Sequence, residues 1–255
     1  MKPALFLAAW SLVMRDYRVR FRRTLLGIVW FLVPLFTLVG MALFVGKDMG
    51  LYPEGQSSGY LLKLLAGLIL WQLFADTWLE PMRLARRANM LLRSVIFDTK
   101  ILLVAGTLSA LVAFVLKLPI LFAALVWFNI PLTLSIVWLP VAVCGLVAAG
   151  VVMACFTLPL SLSLFDVRYA MPFVQFGLLL ATPIFYDVPS AGPVAWLNQS
   201  NPFSYLILPL RDVLTGASSD VIAFVAPLVL TLCMLALGLR YFQAKIHLAI
   251  AYIGH

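Results

Sequence analysis

The chain has 255 residues, 64% of them hydrophobic and only 11% charged, with 18 basic residues against 10 acidic ones and a net charge of +8. A soluble domain is about half apolar and about a quarter charged, so this composition excludes an ordinary soluble protein and points to an integral membrane protein. The basic residues cluster beside apolar runs, the pattern of topology determinants and lipid-headgroup contacts, which argues against nucleic acid as a partner.

In chain order, the first element is an amphipathic helix over roughly residues 5–22, inside a cytoplasmic interface segment of roughly 1–23. Ser11, Arg15, Arg18 and Arg22 share one stripe, and Phe6, Trp10, Val13, Tyr17 and Phe21 share the other. Its apolar length is too short to span before Arg15 interrupts it, so the helix is expected to lie in the interface. A first span follows at roughly 24–46, with Pro34 inside it, then an outer loop with Asp48, Pro53 and Glu54. A second span is expected at roughly 60–80, and a basic cytoplasmic segment at about 82–97. There Arg83, Arg86, Arg87 and Arg93 gather on one helical face against Leu84, Ala88, Leu91, Leu92 and Val95. The third and fourth spans fall at roughly 99–128, bent near Pro119, and roughly 133–164, joined by a tight outer turn at Asn129-Ile130-Pro131. Phe165-Asp166-Val167-Arg168 reads as the next inner turn, before a fifth span at roughly 169–187. The segment at about 188–219 is too apolar for a solvated loop and too broken to span, and fits short helices that dip into the outer leaflet. The sixth span is at roughly 221–242, followed by a cytoplasmic tail at about 243–255.

The basic residues test this arrangement. Fourteen of the 18 Lys and Arg residues fall on the side assigned to the cytoplasm, which supports six spans with both termini inside. The expectation is one all-α transmembrane domain: an interface helix, six spanning helices, a cytoplasmic helix between spans two and three, and short outer helices between spans five and six.

The chemistry of isolated motifs is sparse. There is no G-x-x-x-x-G-K-[ST] phosphate loop, no G-x-S-x-G elbow and no H-E-x-x-H pair. Any nucleotide-driven work therefore belongs to another chain. Cys144, Cys155 and Cys233 lie in apolar runs and read as packing residues, and with two histidines in the chain no metal site is expected. Asp76 and Glu80 stand one turn apart near the inner end of the second span. They read either as an intramembrane acid–base pair or as structural partners of Arg83, Arg86 and Arg87; the absence of a neighbouring His favours the second. Lys117, inside the third span, either snorkels outward or faces a polar lumen where it meets an anionic group.

Several stretches taken in succession resemble the membrane subunits of type-2 ABC exporters of the polysaccharide-export family, which serves O-antigen, capsule and teichoic acid. The resemblance is carried by Arg15, Asp16, Thr24-Leu25-Leu26-Gly27, Trp30 and Pro34; by Asn89, Leu91, Leu92, Arg93 and Phe97; by Asp166, Val167, Arg168, Tyr169, Pro172, Pro183 and Tyr186; and by Asn201, Pro202 and Arg211. The chain departs from the family pattern at Phe165, where a basic residue is common, and at Asp98, where proline is common. The resemblance, closest to the O-antigen permeases, implies a multi-pass protein of the bacterial cytoplasmic (inner) membrane. It implies a homodimer that binds two ATPase subunits, which carry the ATP and Mg, and a lipid-linked glycan as substrate. It implies ATPase contact through Arg15, Arg18 and Arg22 and through Arg83, Arg86, Arg87, Asn89, Leu91, Leu92 and Arg93. A channel lined by Trp30, Phe31, Phe36, Lys117, Phe173, Phe176, Phe185 and Tyr186 follows, with an outer gate around Trp196, Asn201, Pro202 and Arg211. Three alternatives stand beside it: an enzyme acting on lipid-linked sugars through Asp76 and Glu80, a type-2 exporter of lipids or drugs, and an ion-coupled secondary transporter.

Overall fold

Inside a bilayer no water satisfies the peptide groups, so long apolar runs must close their hydrogen bonds internally as helices. The computed structural model describes residues 3–22, 29–48, 57–87, 98–129, 139–186, 192–215 and 222–253, and among these the regular structure is entirely helical. The elements are α1 (Pro3–Arg22), α2 (Val29–Asp48), α3 (Ser57–Arg87), α4 (Lys100–Trp127), α5 (Leu139–Ser163), α6 (Phe165–Ala181), α7 (Pro193–Ser200), α8 (Pro202–Leu214) and α9 (Ile222–Ile253). Five of the described helices, α2, α3, α4, α5 and α9, are long and apolar enough to cross a membrane. The protein is thus an all-α, membrane-spanning chain.

The bundle is built around α3. Trp71, Phe74 and Trp78 are fully buried on it, and Leu62, Leu64, Leu68, Ile69, Leu70 and Leu73 bury its other faces. A helix apolar on every side is a core helix, and here α2, α4, α5, α6 and α8 all pack against it. Two glycines set how closely its neighbours approach, as small residues do where lipid supplies no hydrophobic drive between helices. A Cβ on Gly106 of α4 would stand 2.5 Å from Pro81 Cγ, and one on Gly150 of α5 would stand 2.6 Å from Thr77 Cβ and 2.9 Å from the Phe74 carbonyl oxygen. Trp78 Nε1 donates to Thr157 Oγ1 at 3.0 Å across the α3–α5 contact. On the far side of α5, α9 packs with Tyr241 against Phe156, ring centroids 5.2 Å apart.

Besides α9, which runs on to Ile253 through residues expected as a tail, three features differ from the expectation. First, α3 does not stop at residue 80 but continues through Pro81 to Arg87. The apolar-to-basic shift marks a change of surroundings, not the end of the helix, because Pro at a close helix contact is tolerated where neighbours cover the freed carbonyl. Residues 88–97, the rest of the expected cytoplasmic helix, lie outside the described residues. Second, the turn expected at residues 165–168 shrinks to Leu164, extended at φ −125° and ψ 116°, and residues 165–168 form the first turn of α6. Arg168 Nη2 donates to the Ser161 carbonyl at 3.2 Å, and its guanidinium lies over the Phe165 ring at 5.1 Å. Third, α6 ends at Ala181 after 17 residues, about 26 Å of rise, at the short limit for a span. Thr182 is extended at φ −96° and ψ 129° because the following Pro183 disfavours the helical conformation of the residue before it.

The short elements sit at opposite ends of α3. The expected outer segment forms α7 and α8, and α8 packs antiparallel along the first half of α3, with Phe203 beside Phe74 and Arg211 beside Gly67. At the other end α1 packs on α4, burying Ala9, Leu12, Val13 and Tyr17, while Phe6 and Trp10 remain partly exposed. Its Tyr17 hydroxyl donates to the Ser109 carbonyl at 3.1 Å.

Candidate functional site

The basic end of α3 carries a ladder of charges one helical turn apart, because Asp76, Glu80, Arg83 and Arg87 recur at i+3 and i+4 spacing. Arg83 Nη1 donates to Glu80 Oε2 at 3.1 Å and lies 3.6 Å from Asp76 Oδ1. Arg87 Nη1 reaches Glu80 Oε1 at 3.4 Å and Asp16 Oδ2 on α1 at 2.7 Å. From α4, Lys117 Nζ approaches Asp76 Oδ2 at 3.5 Å. Its side chain is only 4% exposed. The ladder therefore runs from the surface of α1 into the bundle interior, where a charge without a partner is costly.

Beside the ladder, α2, α3 and α4 border a half-open cavity of about 180 Å³. Trp30, Phe31 and Pro34 form its apolar wall; Gln72, Asp76, Glu80 and Arg83 line it from α3, and Ser109, Ala110, Ala113 and Lys117 from α4. Phe31 is held in place by stacking on Tyr17, with centroids 5.4 Å apart and 19° between planes. The two carboxylates and two cations of the lining pair with one another, so the cavity has no net charge. A smaller cavity of about 90 Å³ lies between α3 and α6, lined by Leu79, Met82, Arg83, Arg86, Arg168, Met171 and Pro172.

At the far end of α3, hydrogen bonds lock α7 and α8 to the break after α6. Asn201 caps α8, its side-chain oxygen accepting from Phe203 N at 3.0 Å, while its Nδ2 donates to Thr182 Oγ1 at 3.1 Å and the Ala181 carbonyl at 3.3 Å. Arg211 is buried, donating to the Pro183 carbonyl at 3.0 Å and pairing with Asp212 at 2.9 Å. The Tyr60 hydroxyl donates to the Phe185 carbonyl at 2.8 Å, and the Tyr186 hydroxyl to the Leu180 carbonyl at 3.2 Å.

The residues singled out from the sequence fall into separate groups. Arg15, Arg18, Arg22 and Arg86 are exposed near the α1 end of the bundle, and Arg83 and Arg87 belong to the ladder. Asn89, Leu91, Leu92 and Arg93 lie outside the described residues. Of the channel candidates, Trp30, Phe31 and Lys117 meet at the larger cavity. Phe36, Phe173 and Phe176 instead point outward from α2 and α6, and Phe185 and Tyr186 are half-buried beside α7 and α8. Among the outer residues Asn201 and Arg211 are buried and make the contacts above, whereas Trp196 and Pro202 are exposed. Lys117 does not snorkel outward; it meets the carboxylate of its own chain. Gln72 and Ser109 were missed. A lone amide within the apolar run of α3 was the available signal.

What this geometry can do is bounded. Among the described residues no cluster of His, Cys, Asp and Glu could hold a metal ion, and the three cysteines are free thiols. Acid–base work by Asp76 or Glu80 would have to proceed against the cations that hold them. Compared with known proteins, the chain matches no family model and no curated sequence.

Proposed function

We propose that this chain is the permease subunit of an ATP-driven type-2 ABC exporter, moving a lipid-linked polysaccharide of the O-antigen kind across the bacterial inner membrane. Two copies form the channel, and each recruits an ATPase subunit that binds ATP and Mg; the chain itself performs no catalysis. The observation that carries this reading is the mechanical connection at the basic end. Amphipathic α1, with Arg15, Arg18 and Arg22 exposed, is tied by Asp16 to Arg87, which continues through Glu80, Arg83 and Asp76 to Lys117 inside the bundle.

A soluble motor pressing on α1 and on the end of α3 would displace the central helix as a rigid body. That is how a conformational change at one site reaches another without chemistry in between. The opposite end has the parts of a gate: α8 folds back along α3, and Asn201 at the α7–α8 junction ties it to the break after Ala181. The outward aromatics Phe36, Phe173 and Phe176 suit a channel wall between two copies, where ring faces pack on sugar rings. The exposed apolar faces of α2 and α6 fit burial against the second copy or lipid. Both termini face the cytoplasm on the strength of the basic-residue bias.

The test is to co-express the chain with a phosphate-loop ATPase from the same genome, reconstitute both in proteoliposomes and measure ATP hydrolysis with and without lipid-linked glycan. Stimulated hydrolysis supports the reading. A chain that recruits no ATPase, and whose deletion leaves surface glycan unchanged, refutes it.

A further inference from the structure

Two guanidinium groups outside the ion ladder meet at the smaller cavity. Arg86 on α3 and Arg168 on α6 line it beside Arg83, and no carboxylate lines it among the described residues. The ladder is balanced without them, since Asp16, Asp76 and Glu80 pair with Arg87, Lys117 and Arg83. Among the described residues Arg86 has no ion pair or hydrogen bond. Arg168 spends one N–H on the Ser161 carbonyl and its face on the Phe165 ring, neither of which carries a charge. Asp166, in the same turn of α6, is exposed and does not line the cavity. Two helices thus bring surplus positive charge to one cleft, which attracts an anion.

Size and surroundings define that anion. At about 90 Å³ the cavity has room for about three water molecules or one phosphate group, which a guanidinium grips through two parallel N–H bonds. Arg86 stands at the charged end of spanning α3 and Arg168 in the first turn of α6, the depth at which apolar helix gives way to charge. Basic pockets between membrane helices at this depth take anionic headgroups. The rest of the lining is apolar and lies deeper along both helices: Leu79 and Met82 precede Arg86 on α3, and Met171 and Pro172 follow Arg168 on α6. Charge at the mouth and apolar surface toward the membrane interior repeat the order of groups in a phospholipid.

We propose that this cavity binds the phosphate of an anionic membrane phospholipid, bridged by Arg86 and Arg168, with acyl chains against Met171 and Pro172. The site gives Arg86 to the membrane rather than to the ATPase contact that the resemblance implies. It stands without the export reading, because neither ATPase nor glycan enters it.

The full-length chain, delipidated in dodecyl maltoside, is titrated with dioctanoyl phosphatidylglycerol, and bound lipid is counted by native mass spectrometry. Dioctanoyl phosphatidylcholine carries the same phosphate and chains under a cationic choline. Inorganic phosphate, at matched ionic strength, is the free anion. The expected result is saturable binding of one phosphatidylglycerol per chain, and binding at least about tenfold weaker for phosphatidylcholine, whose choline meets like charges. Inorganic phosphate should leave the bound lipid in place, because it lacks the apolar contacts.

Arg86→Gln should weaken phosphatidylglycerol about tenfold, the loss of one charge-assisted contact. Adding Arg168→Gln should remove the site. Arg240→Gln with Lys245→Gln takes the same charge from exposed positions of α9 and should leave binding unchanged. The proposal is overturned by absent saturation, by equal binding of phosphatidylcholine, or by wild-type affinity in Arg86→Gln. It is overturned equally by the same loss in the α9 variant, which leaves only a diffuse attraction of net charge. Displacement of the lipid by inorganic phosphate overturns it too, and assigns the cavity to a soluble anion.

Discussion

Replacing Asp76 by Asn removes the carboxylate that faces Lys117 at 3.5 Å while preserving its size. The Lys117 side chain is 4% exposed, so its ammonium group cannot turn to water when the partner is lost. At an effective dielectric of about 20 the pair attraction at this distance is about 5 kcal/mol, and removing one member of a buried pair typically costs about 3–5 kcal/mol. Asp76→Asn should therefore lower stability by about 3–5 kcal/mol. Adding Lys117→Met removes the stranded charge and should restore stability to within about 1 kcal/mol of wild type, because no buried charge is then left without a partner. The assay is equilibrium unfolding in mixed micelles, followed by tryptophan fluorescence, for both single variants and the double. If Asp76→Asn costs less than about 1 kcal/mol, or if the double variant is as unstable as the single, the pair does not hold the bundle. An acid–base role predicts a different pattern: intact stability with lost turnover in Asp76→Asn.

Three further outcomes follow from the contacts. Gly150→Ala places a methyl group 2.6 Å from Thr77 Cβ and 2.9 Å from a backbone carbonyl of α3, so it should cost about 1–3 kcal/mol by overpacking, read from the same unfolding curves. Arg87→Glu faces Asp16 and Glu80 with a like charge; because its side chain is 39% exposed, global stability should change by less than about 1 kcal/mol, whereas hydrogen exchange across α1 should accelerate as the helix loosens from α3. Asn201→Ala deletes the α8 cap and both bonds to the break after α6, which should cost about 1–3 kcal/mol locally and raise hydrogen exchange in α7 and α8 without touching α1.

Much of this architecture is legible in single residues. The arginine stripe at 15, 18 and 22 marks the exposed face of α1, and the spacing of Asp76, Glu80 and Arg83 foretells their pairing because both partners share one helix. The broken apolar stretch after residue 188 reads correctly as short helices, since Pro193 and Pro202 stand where helices begin. What stays hidden depends on contacts between distant helices. The pairing of Lys117 with Asp76 and of Asp16 with Arg87 joins different elements, and no periodicity within either element encodes it. The early end of α6 is masked by composition: the apolar run continues through Ile184 and Phe185, while Pro183 stops the helix at Ala181. The continuation of α3 through Pro81 is masked in the opposite sense, by a proline and a basic shift that together resemble a boundary. Gln72 looks like an incidental polar residue until the helices around it border a cavity.

The export reading meets its most direct test in coupling through α1. Arg18→Glu with Arg22→Glu reverses two exposed charges that make no ladder contact among the described residues. In proteoliposomes with the partner ATPase, the account predicts that this variant keeps its orientation and fold but loses glycan-stimulated ATP hydrolysis. Hydrolysis at the wild-type level, with the ATPase still bound and the orientation unchanged, would contradict it.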